Sequence, residues 1–190
     1  MGIIRKDFKY KKIEKFLTED EVYLLRHYAI MKHRVNKTNF DAVKNNNAET
    51  YFYGDPLTDS LLLKKIPLME KETGLQLYPT YSFWRMYTKY AKLGKHIDRP
   101  ACEISVTVML GADEESNSWP IYIDGTPIYM KQGDAAIYLG CESMHWREEF
   151  NGDWHAQCFL HYVDKNGPNK DQIRDGRPIF GMGGDPTSDF

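Results

Sequence analysis

Residues 87–100 read Tyr-Thr-Lys-Tyr-Ala-Lys-Leu-Gly-Lys-His-Ile-Asp-Arg-Pro, and residues 133–148 read Gly-Asp-Ala-Ala-Ile-Tyr-Leu-Gly-Cys-Glu-Ser-Met-His-Trp-Arg-Glu. In the first stretch His96 and Asp98 stand two positions apart. In an extended chain, residues i and i+2 project from the same face, so an imidazole and a carboxylate would enter one cavity. A third ligand has to come from elsewhere, and His145 lies where a strand pair and its loops would return the chain beside the first two. Two imidazoles and one carboxylate on a single octahedral face leave three positions open for a chelating cosubstrate and O2, which is the donor set of non-haem Fe(II) sites. Taken alone, a His-x-Asp tripeptide recurs by chance, and a strand histidine is more often a satisfied structural residue than a ligand. The surrounding pattern carries the rest.

Upstream of residue 75 the chain reads as helical. Thr18-Glu-Asp-Glu21 has the form of a capping box, and Val22, Leu25, Tyr28 and Ala29 follow at helical spacing, which predicts a helix over about residues 19–33. The polar segment from Asn36 to Asn47 reads as a mobile surface loop. After Asp55-Pro56, the positions of Leu61, Leu62, Ile66 and Met69 predict a second helix from Leu57 to Thr73, perturbed by Pro67 and closed by Gly74. From Leu75 onward, short β-branched and aromatic stretches alternate with Gly, Pro, Asn and Asp, as in a sandwich or barrel. Candidate strands run from Tyr81 to Tyr90, Ile104 to Leu110, Pro120 to Ile123, Ala135 to Tyr138 and His155 to Val163. The glycine-rich tail after Asp164 reads as an extended wrap or a partly disordered end. The expectation is one domain over residues 1–190, with a helical support region (1–74), a β core (75–165) and a tail (166–190).

Composition narrows the function. At 190 residues with 42% hydrophobic and 14% aromatic content, the chain suffices for one well-filled core. The 25 basic and 27 acidic residues nearly cancel, so no whole-molecule field points to nucleic acid or a charged membrane. Cys102, Cys141 and Cys158 show no Cys-x-x-Cys spacing, which argues against a disulfide framework and a zinc ribbon and fits a reducing, cytoplasmic setting. The first residues lack the apolar core of a signal peptide, and no apolar run is long enough to span a bilayer, so the expectation is a soluble, intracellular protein. Gly181-Met-Gly-Gly-Asp-Pro186 lacks the Lys-Ser/Thr ending of a phosphate loop. No His-Glu-x-x-His, Gly-x-Ser-x-Gly or Walker sequence competes with the metal motif.

Over residues 78–165 the sequence resembles the prolyl-4-hydroxylase-like branch of the 2-oxoglutarate- and Fe(II)-dependent oxygenases. That family places a tyrosine at a strand end ahead of the His-x-Asp, then a β-rich stretch, a Gly-Asp turning into a strand, and the distal histidine. Tyr87, His96, Asp98, Gly133-Asp134 and His145 match these features in order. The resemblance implies a mainly β fold, a double-stranded β-helix or jelly roll, with the amino-terminal helices packed on the major sheet. It implies His96, Asp98 and His145 as iron ligands, with Fe(II), 2-oxoglutarate and O2 as cofactor and cosubstrates. The expected chemistry is hydroxylation of a C–H bond coupled to decarboxylation of 2-oxoglutarate to succinate and CO2. Asp98 favours hydroxylation, because related halogenases carry a small residue in its place.

One feature departs from the family pattern. The far carboxylate of 2-oxoglutarate there pairs with an Arg or Lys on the strand after the distal histidine, and the matching position here is His155. A protonated His155 could pair with the carboxylate, with Gln157 on the same strand face adding a hydrogen bond. Arg147, two residues after His145, and Arg85, on the strand face of Tyr87, are the other cations within reach. Tyr87 is the expected phenol donor to that carboxylate, and Thr107 a further residue of the inward wall. Arg99 is expected to orient the metal loop or meet substrate, and Trp146 adjoins a ligand and could line the substrate channel. His161 is expected at the far end of its strand, away from the metal. The substrate is expected to be a prolyl residue in a peptide or a small amino-acid-like molecule. The alternative, motivated by the missing basic residue, is a cupin-like metal-binding barrel that binds or senses a small ligand without turnover.

Overall fold

The protein is described here by a computed structural model covering residues 8–39, 49–113 and 119–183. The expected loop from Asn36 begins inside a helix that runs to Asn39, and its remainder lies outside the described residues. So do residues 114–118 and the tail from 184.

Ten strands and three α-helices are present among the described residues: β1 (Tyr10–Ile13), α1 (Glu19–Asn39), β2 (Thr50–Tyr53), α2 (Pro56–Lys64), α3 (Ile66–Thr73), β3 (Leu77–Thr88), β4 (Leu93–His96), β5 (Ile104–Ala112), β6 (Ile121–Ile123), β7 (Thr126–Ile128), β8 (Ala135–Tyr138), β9 (His145–Arg147) and β10 (Trp154–Asp164). Short 3-10 segments occupy Pro100–Cys102 and Lys170–Gly176. The major sheet has the order β1-β8-β5-β10-β3-β2 and the minor sheet β4-β9-β6-β7. The two sheets face each other across Met109, Ala136 and Tyr138 from the major sheet and Ile121, Ile123 and Ile128 from the minor one. This is the double-stranded β-helix, or jelly roll, with its strand pairs antiparallel.

Strand alternation divides the labour on the major sheet. Trp84, Met86, Val106, Val108, Ala156, Cys158 and Leu160 point outward, where Leu25, Ala29, Leu61, Leu62 and Met69 of the helices cover them. The opposite parity, including Tyr81, Phe83, Arg85, Tyr87, Phe159 and His161, faces the space between the sheets. The helices thus seal one face and leave the other for chemistry.

The capping box forms as the sequence predicts: the Thr18 amide donates to Glu21 Oε2 (2.8 Å) and the Glu21 amide to Thr18 Oγ1 (3.2 Å). The predicted second helix is two helices. Lys65 separates them, and Pro67 stands in the first turn of α3, where its missing N–H costs nothing. Gly74 closes α3 in the left-handed conformation at φ 72°.

Two findings concern the ends of the chain. The region before residue 75, expected to be helical, also supplies β1 and β2, which form the two edges of the major sheet. Between Asp164 and residue 183 the chain is tied to the body, as an extended wrap would be, because the buried Arg177 donates to Asp59 Oδ2 (2.8 Å) and Thr80 O (3.1 Å). No helix among the described residues is long and apolar enough to cross a membrane. All three cysteines are free.

Candidate active site

β4 and β9 pair so that His96 stands directly opposite His145. After His96 the chain leaves the sheet, and the Asp98 amide donates to Gly140 O (2.8 Å), which swings the carboxylate back between the two imidazoles. Asp98 Oδ1 lies 3.4 Å from His96 Nε2 and 3.5 Å from His145 Nε2. Each ring is held from behind: His96 Nδ1 bonds Gly94 O (2.8 Å) and His145 Nδ1 bonds Ser143 O (2.9 Å). A carbonyl can only accept, so both Nδ1 atoms carry a proton and both Nε2 atoms are turned toward Asp98. The three ligand atoms lie within 4.8 Å of one another. Burial by itself would raise the Asp98 pKa, but the hydrogen bonds from His145 and His96 outweigh it and hold the carboxyl well below its ordinary range. The donor set fits a divalent metal: two imidazole Nε2 atoms and one carboxylate already ionised, converging from one side.

Sequence reading missed the residues that support Asp98. A Cβ built on Gly140 would fall 2.3 Å from Cys102 O and 2.6 Å from both Asp98 Oδ2 and Ser105 Oγ, so this position has room only for glycine. Ser105 Oγ lies 3.3 Å from Asp98 Oδ2 and 2.9 Å from His161 Nδ1. His161 is therefore beside the His96, Asp98 and His145 group, contrary to the expectation that it lies away from it, and it forms with Asp98 and Cys102 a second group of potential ligand atoms within 4.8 Å. The expectation failed because β10, eleven residues long, runs past the whole site rather than ending at it. Burial pushes the His161 pKa down to about 4, so the ring is neutral.

A cavity of about 210 Å³ opens beside the triad, lined by His96, Asp98, His145 and the aromatic rings of Tyr53, Tyr81, Phe83, Tyr87, Tyr138 and Phe159. Two arginines frame it. Arg99 lies over the Tyr81 ring, and both its terminal nitrogens pair with Asp175, which also accepts from the Tyr53 hydroxyl. Arg85 pairs with Glu49 through Nε (2.6 Å) and Nη2. Arg174 and Asp175 sit at φ 57° and 54°, a left-handed conformation that non-glycine residues adopt at a cost. The Asp175 contacts hold that segment against the cavity mouth.

Most of the remaining sequence candidates lie buried beyond Tyr87, outside the lining of the cavity. His155 pairs in register with Tyr87, and its Nε2 bonds Gln157 Oε1 (2.9 Å), whose Nε2 in turn donates to Thr107 Oγ1 (2.6 Å). The sequence pattern asks a protonated ring of His155. Burial, with the Arg147 charge adding to it, pushes its pKa down to about 3. Arg147 is buried instead, with its Cζ 4.6 Å from the Trp119 ring centre and 5.9 Å from that of Tyr87. Trp146 faces the other way, as alternation along β9 requires: His145 and Arg147 point inward, while Trp146 stacks on Tyr122 at 5.1 Å outside the cavity. Gly133 and Asp134 act structurally. Gly133 takes φ 86°, and the Asp134 carboxylate accepts from the amides of Lys15 (3.1 Å) and Lys131 (3.0 Å), fixing the start of β8.

No family model and no curated relative matches the sequence. Solved structures do match the fold. A viral collagen prolyl hydroxylase from Paramecium Bursaria Chlorella virus-1, in complex with 2-oxoglutarate, aligns at TM-score 0.61 and 17% identity over 82% of this chain and 96% of that one. A prolyl-4-hydroxylase from Pseudomonas putida aligns at 0.62 and 16% over 83% and 94%. An oxidoreductase of the 2OG-Fe(II) oxygenase family from Burkholderia pseudomallei aligns at 0.58 and 13% over 87% and 89%. At these identities the likeness is one of fold: this chain has the double-stranded β-helix of the 2-oxoglutarate- and Fe(II)-dependent oxygenases, prolyl-4-hydroxylases among them.

Proposed function

We propose that this chain is a non-haem Fe(II)- and 2-oxoglutarate-dependent dioxygenase that hydroxylates a C–H bond, acting as one catalytic domain in a reducing, cytoplasmic compartment. The observation that carries the reading is the convergence of His96 Nε2, His145 Nε2 and Asp98 Oδ1, with both Nδ1 atoms committed to backbone carbonyls. His96, Asp98 and His145 would hold the metal. Bound Fe(II) with 2-oxoglutarate would supply O2 activation, the cosubstrate leaving as succinate and CO2 and the substrate gaining a hydroxyl.

The chain's own residues have distinct tasks in this scheme. Ser105 and Gly140 keep Asp98 in line with the imidazoles. The rings of Tyr53, Tyr81, Phe83 and Phe159 exclude water and offer an apolar, polarisable wall to the substrate. Arg99 and Arg85, already paired with Asp175 and Glu49, set the charge at the mouth without leaving an open cation there. Such a wall suits a prolyl ring in a peptide or a compact amino-acid-like molecule, and the likeness in fold to prolyl hydroxylases supports the first of these. The binding-only alternative draws on the missing basic residue of β10, and the buried Arg147 is the feature that weighs against it.

Anaerobic addition of Fe(II) and 2-oxoglutarate is expected to give a weak visible charge-transfer band that His96→Ala abolishes. Absence of both the band and succinate formation would overturn the proposal. Mass spectrometry after turnover of a proline-rich peptide and of an amino-acid panel separates the two substrate classes by which one gains a single oxygen.

A further inference from the structure

Arg147 is 1% exposed, yet only one edge of its guanidinium is engaged: Nη1 donates to Trp119 O (3.0 Å). Nε and Nη2 have no hydrogen-bond partner among the described residues. The charges that act on it are those of Tyr87, Tyr138 and Arg85, and none of these is a carboxylate. A buried guanidinium without a counter-ion is costly, and an open Nε/Nη2 edge is the one that receives a carboxylate through two parallel hydrogen bonds.

Two neighbours share this condition. The Tyr87 hydroxyl is fully buried without a partner among the described residues, and so is His155 Nδ1. Arg85 also lies against the Tyr87 ring, but its Nε and Nη2 are taken by Glu49. Among these cations, only Arg147 retains an unused edge.

Its place on the strand fixes its distance from the metal ligands. His145 and Arg147 are two residues apart on β9 and both point inward, so their Cα atoms are separated by about 6–7 Å. Leu93, which lines the cavity, stands opposite Arg147, and Tyr87 lines the cavity beside it. A molecule chelating the metal at one end would reach Arg147 with the other if it carried a second carboxylate a few bonds away.

We propose that Arg147 of β9, rather than a residue of β10, pairs with the far carboxylate of a five-carbon 2-oxo diacid, with the Tyr87 hydroxyl donating to the same carboxylate. This rests on the metal and 2-oxoglutarate reading above and names the group that completes it. His155, neutral and bonded to Gln157, borders the slot without supplying its charge. Because the anchoring cation and the distal metal ligand share one strand, the strand's own rise sets the accepted diacid length. Shorter or longer diacids then lose the second contact.

The test is binding by calorimetry, in the absence of Fe(II), to the full chain loaded with Mn(II), whose own affinity is measured first. The wild type is expected to prefer 2-oxoglutarate over oxaloacetate, 2-oxoadipate and pyruvate. Arg147→Gln should weaken 2-oxoglutarate by roughly 30-fold or more while leaving Mn(II) and pyruvate binding unchanged, and Arg147→Lys should recover part of the loss. Tyr87→Phe should lower 2-oxoglutarate affinity in the same selective way, which keeps the test open if Arg147→Gln does not fold. His155→Gln should retain the preference for 2-oxoglutarate over pyruvate. Undiminished 2-oxoglutarate binding in Arg147→Gln, or loss of the preference in His155→Gln alone, overturns the assignment and leaves the oxygenase reading standing. A wild type that binds Mn(II) but no 2-oxo acid overturns both.

Discussion

Gly140 and Asp98 are packed so closely that a single methyl group on the glycine would reach 2.6 Å from the carboxylate's Oδ2. The other atoms it would meet include the Cys102 carbonyl, which is backbone and cannot rotate away. Gly140→Ala must therefore displace the loop that carries Asp98. The expected result is a roughly 10–100-fold loss of Co(II) affinity, read from the visible spectrum during titration. Stability should fall by about 1–3 kcal/mol in urea. Full Co(II) affinity in the variant would refute the close-approach argument.

Ser105 links His161 to Asp98. Removing its hydroxyl leaves Asp98 Oδ2 without that donor and frees the carboxylate to rotate. Ser105→Ala is expected to weaken metal binding by roughly 10-fold and to shift the Fe(II)–2-oxoglutarate absorption band. A purely structural role would lower the melting point and leave the band in place.

The buried histidines give acid sensitivity a definite sign. In the unfolded chain each takes its proton near 6.5, whereas in the folded protein His155 waits until about 3 and His161 until about 4. Between these values the unfolded state binds more protons, so this contribution is whole above about pH 6.5 and is lost as pH falls. Urea midpoints of metal-free protein should drop between pH 7 and pH 4.5, and His155→Gln should drop less over the same range. Equal slopes for the two proteins would count against a neutral His155.

Arg177 anchors the segment that follows β10 to the buried Asp59 carboxylate. Arg177→Met leaves that carboxylate without its charge partner and is expected to cost about 3–5 kcal/mol in denaturant unfolding. Trypsin should then cut after Lys165 or Lys170 faster than in the wild type. A variant of unchanged stability and cleavage rate would show that the segment is held by its other contacts.

The parts of this site that the sequence reveals are those governed by short-range spacing. His96 and Asp98 declare themselves two residues apart, and the Gly133-Asp134 turn announces the strand leading to His145. The inward parity of Arg147 follows from that of His145, yet nothing in the spacing decides between Arg147 and His155. What separates the two is burial, which lowers the His155 pKa and leaves two Arg147 donors without partners among the described residues, and burial is not written in the spacing. Ser105 and His161 meet across the β5–β10 pairing, and Asp175 meets Arg99 across 76 residues, contacts that no local pattern encodes. β1 and β2 escaped notice because Tyr10–Ile13 and Thr50–Tyr53 are four-residue edge strands, too short to show periodicity.

Asp175 also ties the readiness of the loop that carries Asp98 and Arg99 to the order of synthesis. A ribosome completes His96, Asp98 and His145 thirty residues before it reaches the carboxylate that clasps Arg99 and Tyr53. A nascent or clipped chain ending short of Asp175 would own a full set of donors and an unlatched rim. In this fold, the finishing of the entrance is a late event in the life of each molecule.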